Sequence, residues 1–385
     1  MNLPLGFRYS ALYAGIRKVA KPDLALILAD QPASAAAVFT TNKVQAAPVR
    51  LSRAHLAETG GIARAVLVNA GNANCATRTG DRVALATARA AAKTLQCKPA
   101  EVLSSSTGVI GVELNPKLIT DALPDLAAGL SPDRFLDAAD AILTTDLVRK
   151  VAFAESGGIR IAGMTKGSGM IHPGMATTLA YVMTDAAMPP AALRAHLKAA
   201  VARSYNRLSV DGDMSTNDTL LVLASGASGI QPKKAAFQAA LDEVCQSLAK
   251  QIARDGEGAQ KFVEIQVSGA ASEAAAARIA RAIANSPLVK TAIAGSDPNW
   301  GRILCAAGYS GVDFDPTLVD IWLQGVKVCR KGLAAPMDEA ALTRKLDAKD
   351  CLIRFQIAGE GKGQATFYTC DHTHGYIDIN ASYRT

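Results

Sequence analysis

Gly163 to Asp185 reads Gly-Met-Thr-Lys-Gly-Ser-Gly-Met-Ile-His-Pro-Gly-Met-Ala-Thr-Thr-Leu-Ala-Tyr-Val-Met-Thr-Asp, a glycine-punctuated stretch that carries Lys166 and His172 into Ala176-Thr177. Apolar and β-branched residues follow at once, so Thr177 stands at the edge of an expected strand. A threonine hydroxyl is a poor nucleophile until a base takes its proton. Its own α-amine is one such base once the preceding peptide bond is gone. That amine titrates near about 7.7 to 8.0, leaving a useful unprotonated fraction at neutral pH. Attack of the Thr177 hydroxyl on the Ala176 carbonyl, then hydrolysis of the ester, would expose it. Small Gly174 and Ala176 ease access, and Pro173 restricts the backbone ahead of them.

Such a reaction needs hydrogen-bond donors aimed at the developing oxyanion. Ser104-Ser105-Ser106-Thr107-Gly108-Val109-Ile110-Gly111 offers a hydroxyl at Thr107 and, at Gly108, a backbone free to turn its N–H toward the site. Spacing alone also allows a plain serine-rich turn before a strand. His172 is a second base by its neutral-range titration. Because the Thr177 amine suffices, a structural loop role for His172 is preferred. No G-x-x-x-x-G-K-[ST], G-x-G-x-x-G opening a helix, H-E-x-x-H or G-x-S-x-G is present, which removes support for nucleotide-loop, zinc-peptidase and serine-hydrolase readings.

Composition narrows the field further. The 385 residues are 49% hydrophobic, enough to bury a large core. The net charge of +7 comes from scattered lysines and arginines whose densest spots are pairs such as Arg149-Lys150 and Lys233-Lys234. With aromatics at only 5%, this reads as a soluble surface and not as a nucleic-acid groove. Seven widely spaced cysteines without C-x-x-C or a histidine grouping imply free thiols, no metal site and a reducing compartment. No signal-peptide core or membrane-spanning run is seen, so a cytoplasmic protein is expected.

These residues must be positioned by the elements around them. Leu24–Ala29, Ala35–Thr40, Ala65–Asn69, Ile159–Ala162 and Thr178–Met183 read as strands, and so do Leu220–Ala224, Lys261–Val267, Cys351–Ile357 and Gln364–Tyr368. Asp81–Leu95, Asp133–Leu143, Pro190–Tyr205, Lys233–Arg254 and Ala271–Ala284 read as helices. The loose alternation predicts an α/β or α+β protein with helices packed around sheets.

Several motifs in one order carry a resemblance. Asn69-Ala70-Gly71-Asn72-Ala73-Asn74, Thr107-Gly108, Thr144-Thr145-Asp146, Lys166 to Pro173, Met175-Ala176-Thr177, Asp211 to Asp218, Asp255 to Ala259, Asp297 to Arg302 and Asn380 to Thr385 together resemble the bifunctional glutamate N-acetyltransferase/ornithine acetyltransferase family of arginine biosynthesis. The likeness runs over nearly the entire chain. It implies the self-processing ornithine acetyltransferase-like α/β fold, related to self-processing aminopeptidases. It further implies cleavage between Ala176 and Thr177 into an α chain, 1–176, and a β chain, 177–385, associated as α2β2.

By the same resemblance, Thr177 takes acetyl from N2-acetyl-L-ornithine, releases ornithine and passes the acetyl to L-glutamate. Thr107 and Gly108 form the oxyanion hole. Thr144, Lys166, Thr177, Glu257, Asn380 and Thr385 bind substrate, with Lys166 suited to the α-carboxylate and Glu257 to the ornithine ammonium. No cofactor, metal, nucleic acid or membrane is implied, and acetyl-CoA stays open as a donor. An N-terminal-nucleophile amidohydrolase, in which water takes the acyl group, is the nearest rival. A non-catalytic small-molecule-binding protein is the other.

Overall fold

The β-branched and apolar runs pair into two sheets in the computed structural model, which describes residues 2–172, 178–359 and 361–382. The larger holds β1 (Phe7–Leu12), β2 (Leu24–Phe39), β3 (Ile62–Asn69), β4 (Val102–Ser106), β5 (Lys150–Ser156), β6 (Ile159–Lys166), β7 (Leu179–Thr184) and β8 (Thr219–Ala224). Its order is β4-β3-β2-β8-β7-β6-β5, with β1 also on β2. The smaller, ordered β12-β11-β10-β13-β9-β14, holds β9 (Phe262–Ala270), β10 (Val319–Leu323), β11 (Val326–Arg330), β12 (Leu333–Ala334), β13 (Asp350–Ile357) and β14 (Gly363–Cys370).

β2 decides the architecture. Read from sequence as two strands, Leu24–Ala29 and Ala35–Thr40, it is one strand of 16 residues. The β3 ladder is irregular between Leu28 and Ala33, so Pro32, which has no N–H to give, falls where the ladder is interrupted. Leu24–Leu28 and then Ala33-Ser34 pair with β3, and Ser34–Phe39 pairs with β8. A straight strand of this length would hold its ends roughly 50 Å apart. Instead Leu24 pairs with Asn69 beside Ser106, and the Ser106 carbonyl accepts from Asn217, two residues before the Thr219 that pairs with Phe39. The strand therefore turns a corner and folds the sheet onto itself.

The cores agree with this. Ile27, Val66, Val68 and Leu103 from one half meet Met164, Tyr181, Met183, Leu221 and Leu223 from the other in one buried cluster. Outside the first half, Leu26, Leu67 and Val102 pack with Val83, Ala88 and Ala91 of the helix Gly80–Leu95. Outside the second, Val182, Leu220 and Val222 pack with the helices Pro190–Arg203 and Lys234–Arg254. The result is a helix–sheet–sheet–helix sandwich, an α/β arrangement with helices packed around sheets.

Phe237, Leu241, Val244, Leu248 and Ile252 recur on one face of the long helix and share a core with Phe262 and Tyr368 of the smaller sheet. That helix thereby couples the two sheets. The helix expected over Asp133–Leu143 is a 3₁₀ turn, Pro132–Arg134, followed by Phe135–Ala141. Ser104–Ser106 is the end of β4, so the alternative of a turn before a strand is corrected: the turn comes after it.

Candidate active site

The chemistry-bearing segments meet at one end of the larger sheet. Thr107-Gly108 leaves the end of β4, Lys166 ends β6, and Thr178 precedes β7. Asp211–Asp218 leads into β8, Asp255–Gly258 follows the long helix, and Asn380 sits on the helix His374–Ser382. A cavity of about 110 Å³ is lined by Thr107, Gly108, Thr144, Lys166, Glu257 and Asn380, with Asp211, Asn217 and Tyr376 beside them. Six of the residues singled out from sequence thus share one small pocket. Ala176, Thr177 and Thr385 lie outside the described residues.

The turn after β4 is held from two sides. Asn69 accepts the Gly71 and Asn72 N–H groups at 3.0 and 3.2 Å and donates to the Asn72 carbonyl at 2.7 Å. Asn217 donates to the carbonyls of Ala73 and Ser106 at 2.7 and 2.8 Å. Thr107 N–H is spent on the Asn69 carbonyl at 2.9 Å. Among the described residues, neither the Thr107 hydroxyl nor the Gly108 N–H has an acceptor. Gly108 takes φ +127°, and a Cβ there would lie 2.6 Å from the Gly71 carbonyl carbon, so only glycine fits. Two idle donors at the cavity wall are what a developing oxyanion requires.

In the same lining, Lys166 is 5% exposed and donates to Thr144 Oγ1 at 3.3 Å. Burial pulls its ammonium below the usual lysine range, while the carboxylates of Asp146, Asp218 and Glu257 oppose that shift. Glu257 accepts from Asn380 Nδ2 at 2.8 Å. Its carboxylate lies against Gly169, where a Cβ would come within 2.1 Å of Oε2. The loop after β6 is fixed by carboxylates: Asp211 accepts the N–H groups of Met170 and Ile171 at 2.6 and 2.9 Å, and Asp146 accepts that of Gly167 at 2.7 Å. His172 does not line the cavity. It is half-buried with Nδ1 3.4 Å from Asn285 Nδ2, and burial and Arg281 lower its pKa.

Sequence reasoning gave no role to Asn69, Asp146, Asp211, Asn217 or Asp255, although each stands within a quoted motif. The signal was polar side chains next to glycines or turns, where backbone donors need acceptors. Lys150 was read as surface charge. It is 0% exposed, and a partnered buried lysine is the correction.

Among the described residues no cluster of three or more His, Cys, Asp or Glu could hold a metal, and no helix is long and apolar enough to cross a membrane. All seven cysteines are free.

The family model for the ArgJ family matches residues 8–385. The chain belongs to the ArgJ family. It is 48% identical over 387 residues to the arginine biosynthesis bifunctional protein ArgJ of Thermus thermophilus, covering all of both chains. It is 46% identical over 396 residues to the protein of that name from Rhizobium meliloti, covering 99% of this chain and 95% of that one. A crystal structure of the Bacillus halodurans ArgJ matches at TM-score 0.50 and 40% identity, over 52% of this chain and 96% of that one. ArgJ membership runs through every segment that forms the cavity.

Proposed function

We propose that this ArgJ chain moves an acetyl group from N2-acetyl-L-ornithine to L-glutamate through an acetyl-threonine at Thr177, releasing ornithine and N-acetylglutamate. The observation that carries the reading is the cavity itself. Its lining holds Thr107 and Gly108, whose donors have no acceptor among the described residues, together with a buried cation, Lys166, and an amide-held carboxylate, Glu257. An α-amino acid bearing a side-chain ammonium needs that pairing of charges. Lys166 takes the α-carboxylate and Glu257 the ammonium, while Thr107 and Gly108 stabilise the oxyanion. Thr178, the next residue in the chain after Thr177, has its N–H fixed to Asp218 at 3.1 Å.

In this reading Thr177 gains its amine by cleavage after Ala176. The products, 1–176 and 177–385, stay together as α and β fragments, assemble as α2β2 and work in the cytoplasm. The positive charge of Lys166 also lowers the pKa of a nearby amine, keeping it basic but unprotonated. Thr385 is a further substrate-binding residue in this reading. Acetyl-CoA serves as an alternative donor for glutamate without a resident cofactor.

Intact mass spectrometry after brief incubation with acetylornithine tests this. Two fragments are expected, with an acetyl increment only on the one beginning at Thr177. Glutamate should discharge it as acetylglutamate, whereas acetate as the product points to a hydrolase. Thr177→Ala should remain one chain and transfer nothing; an active variant rejects the nucleophile.

A further inference from the structure

Behind the cavity wall lies a charged group that the proposed chemistry does not touch. Lys150, the first residue of β5, is 0% exposed and inserts its ammonium between Asp146, at 2.6 Å, and Asp255. A lysine without water is stable only where carboxylates compensate it. Here two do. Each carboxylate also holds backbone from a different part of the site. Asp146 accepts the N–H of Thr144 at 3.0 Å and that of Gly167, which follows Lys166, at 2.7 Å. Asp255 accepts the N–H of Leu147 at 3.0 Å, and its carbonyl takes the Ser168 hydroxyl at 2.5 Å. Ser168 in turn gives its own carbonyl to the Glu257 N–H at 2.9 Å.

We propose that Lys150 is a positioning residue for substrate binding, its ammonium fixing the spacing of the three segments that present Thr144, Lys166 and Glu257. None of Lys150, Asp146 or Asp255 lines the cavity, so the group acts through its neighbours. The charge count explains why a neutral residue cannot replace it. Lys150 compensates both Asp146 and Asp255, whereas Lys166 faces Asp146, Asp218 and Glu257, so removal of Lys150 strips Asp255 of its cation and leaves Asp146 to Lys166 alone. The Lys166 ammonium is then drawn from the cavity toward Asp146. The oxyanion donors are insulated from this, because Asn69 and Asn217 brace them from other elements. Asp146 and Lys150 precede the proposed cleavage junction and Asp255 follows it, so the same ammonium bonds the two fragments once the chain is cut.

The inference rests on the acetyl-transfer reading, and steady-state kinetics of acetylornithine with glutamate separates the two. Lys150→Met should raise the KM for acetylornithine at least tenfold and change kcat by less than threefold. Adding Asp255→Asn, which restores the charge balance, should recover part of the KM. If Lys150→Met yields no soluble protein, Asp255→Asn alone is read on the same split and should raise KM. A lower melting temperature with unmoved KM, or a loss confined to kcat, overturns the positioning role. Wild-type protein that transfers no acetyl group overturns the underlying reading, and this one with it.

Discussion

Asn380 Nδ2 donates to Glu257 Oε2 at 2.8 Å and to the Tyr376 carbonyl at 3.0 Å, so the last helix both touches and aims the cavity's carboxylate. A hydrogen bond to a charged group contributes about 1.5–3 kcal/mol, less where water competes, and Asn380 is exposed. Asn380→Ala is expected to raise the KM for acetylornithine about five- to tenfold while the melting temperature stays within a degree or two. Initial-rate kinetics and a thermal melt decide it. An unchanged KM means that Glu257 is aimed by its other contacts.

The same carboxylate is pressed against Gly169. Since a Cβ there would stand 2.1 Å from Oε2, Gly169→Ala must swing the Glu257 carboxylate away while the Glu257 N–H stays tied to the Ser168 carbonyl. Acetylornithine binding is expected to weaken at least tenfold in titration calorimetry. Wild-type affinity would show that the carboxylate does not hold the ammonium.

At the oxyanion turn, Thr107→Val keeps the shape of the side chain and removes its hydroxyl. Loss of one oxyanion donor costs about 3 kcal/mol, or about 10²–10³ in kcat. The expected result is a kcat reduced by that factor with KM nearly unchanged, and formation of the two fragments slowed as well. Thr107→Ser should retain most activity. A valine variant as fast as wild type removes the hydroxyl from the oxyanion site.

How far these residues could be read from the chain follows from the range of their contacts. Thr107-Gly108 and Lys166-Gly167 give only a weak local signal, a polar side chain beside a glycine, and it is the resemblance over several ordered motifs that singles them out. Lys150 was not legible. Beside Arg149 it looks like one of a solvated pair, and its burial depends on Asp255, which is 105 residues away in sequence. β2 shows the same limit: Pro32 signals a break locally, but whether the strand continues depends on β3 and β8 pairing on either side of it. The helices fared better, since Lys234–Arg254 and Gly80–Leu95 are fixed by their own apolar periodicity to within a residue of the expected ends.

Asp218 gives the fold a pH dependence whose sign can be worked out. It is 1% exposed; burial raises its carboxyl well above the ordinary range, against the opposing pull of Lys166, the Thr40 hydroxyl and the Thr178 N–H, and among the described residues its Oδ2 has no hydrogen-bond partner. The unfolded chain releases that proton near about pH 3.9, while the folded chain keeps it to higher pH. Between those values the native state binds more protons, so stability from this group is full below about pH 4 and falls as pH rises, by up to about 1.4 kcal/mol per unit. Asp218→Asn preserves an oxygen for the Thr178 N–H and has nothing to titrate. The stability of this variant relative to wild type should therefore increase from pH 4 upward and level off above the native pKa. Urea midpoints of both proteins at pH 4, 5, 6, 7 and 8 measure the gap. A gap that stays constant, or narrows as pH rises, means that Asp218 is ionised in the folded protein.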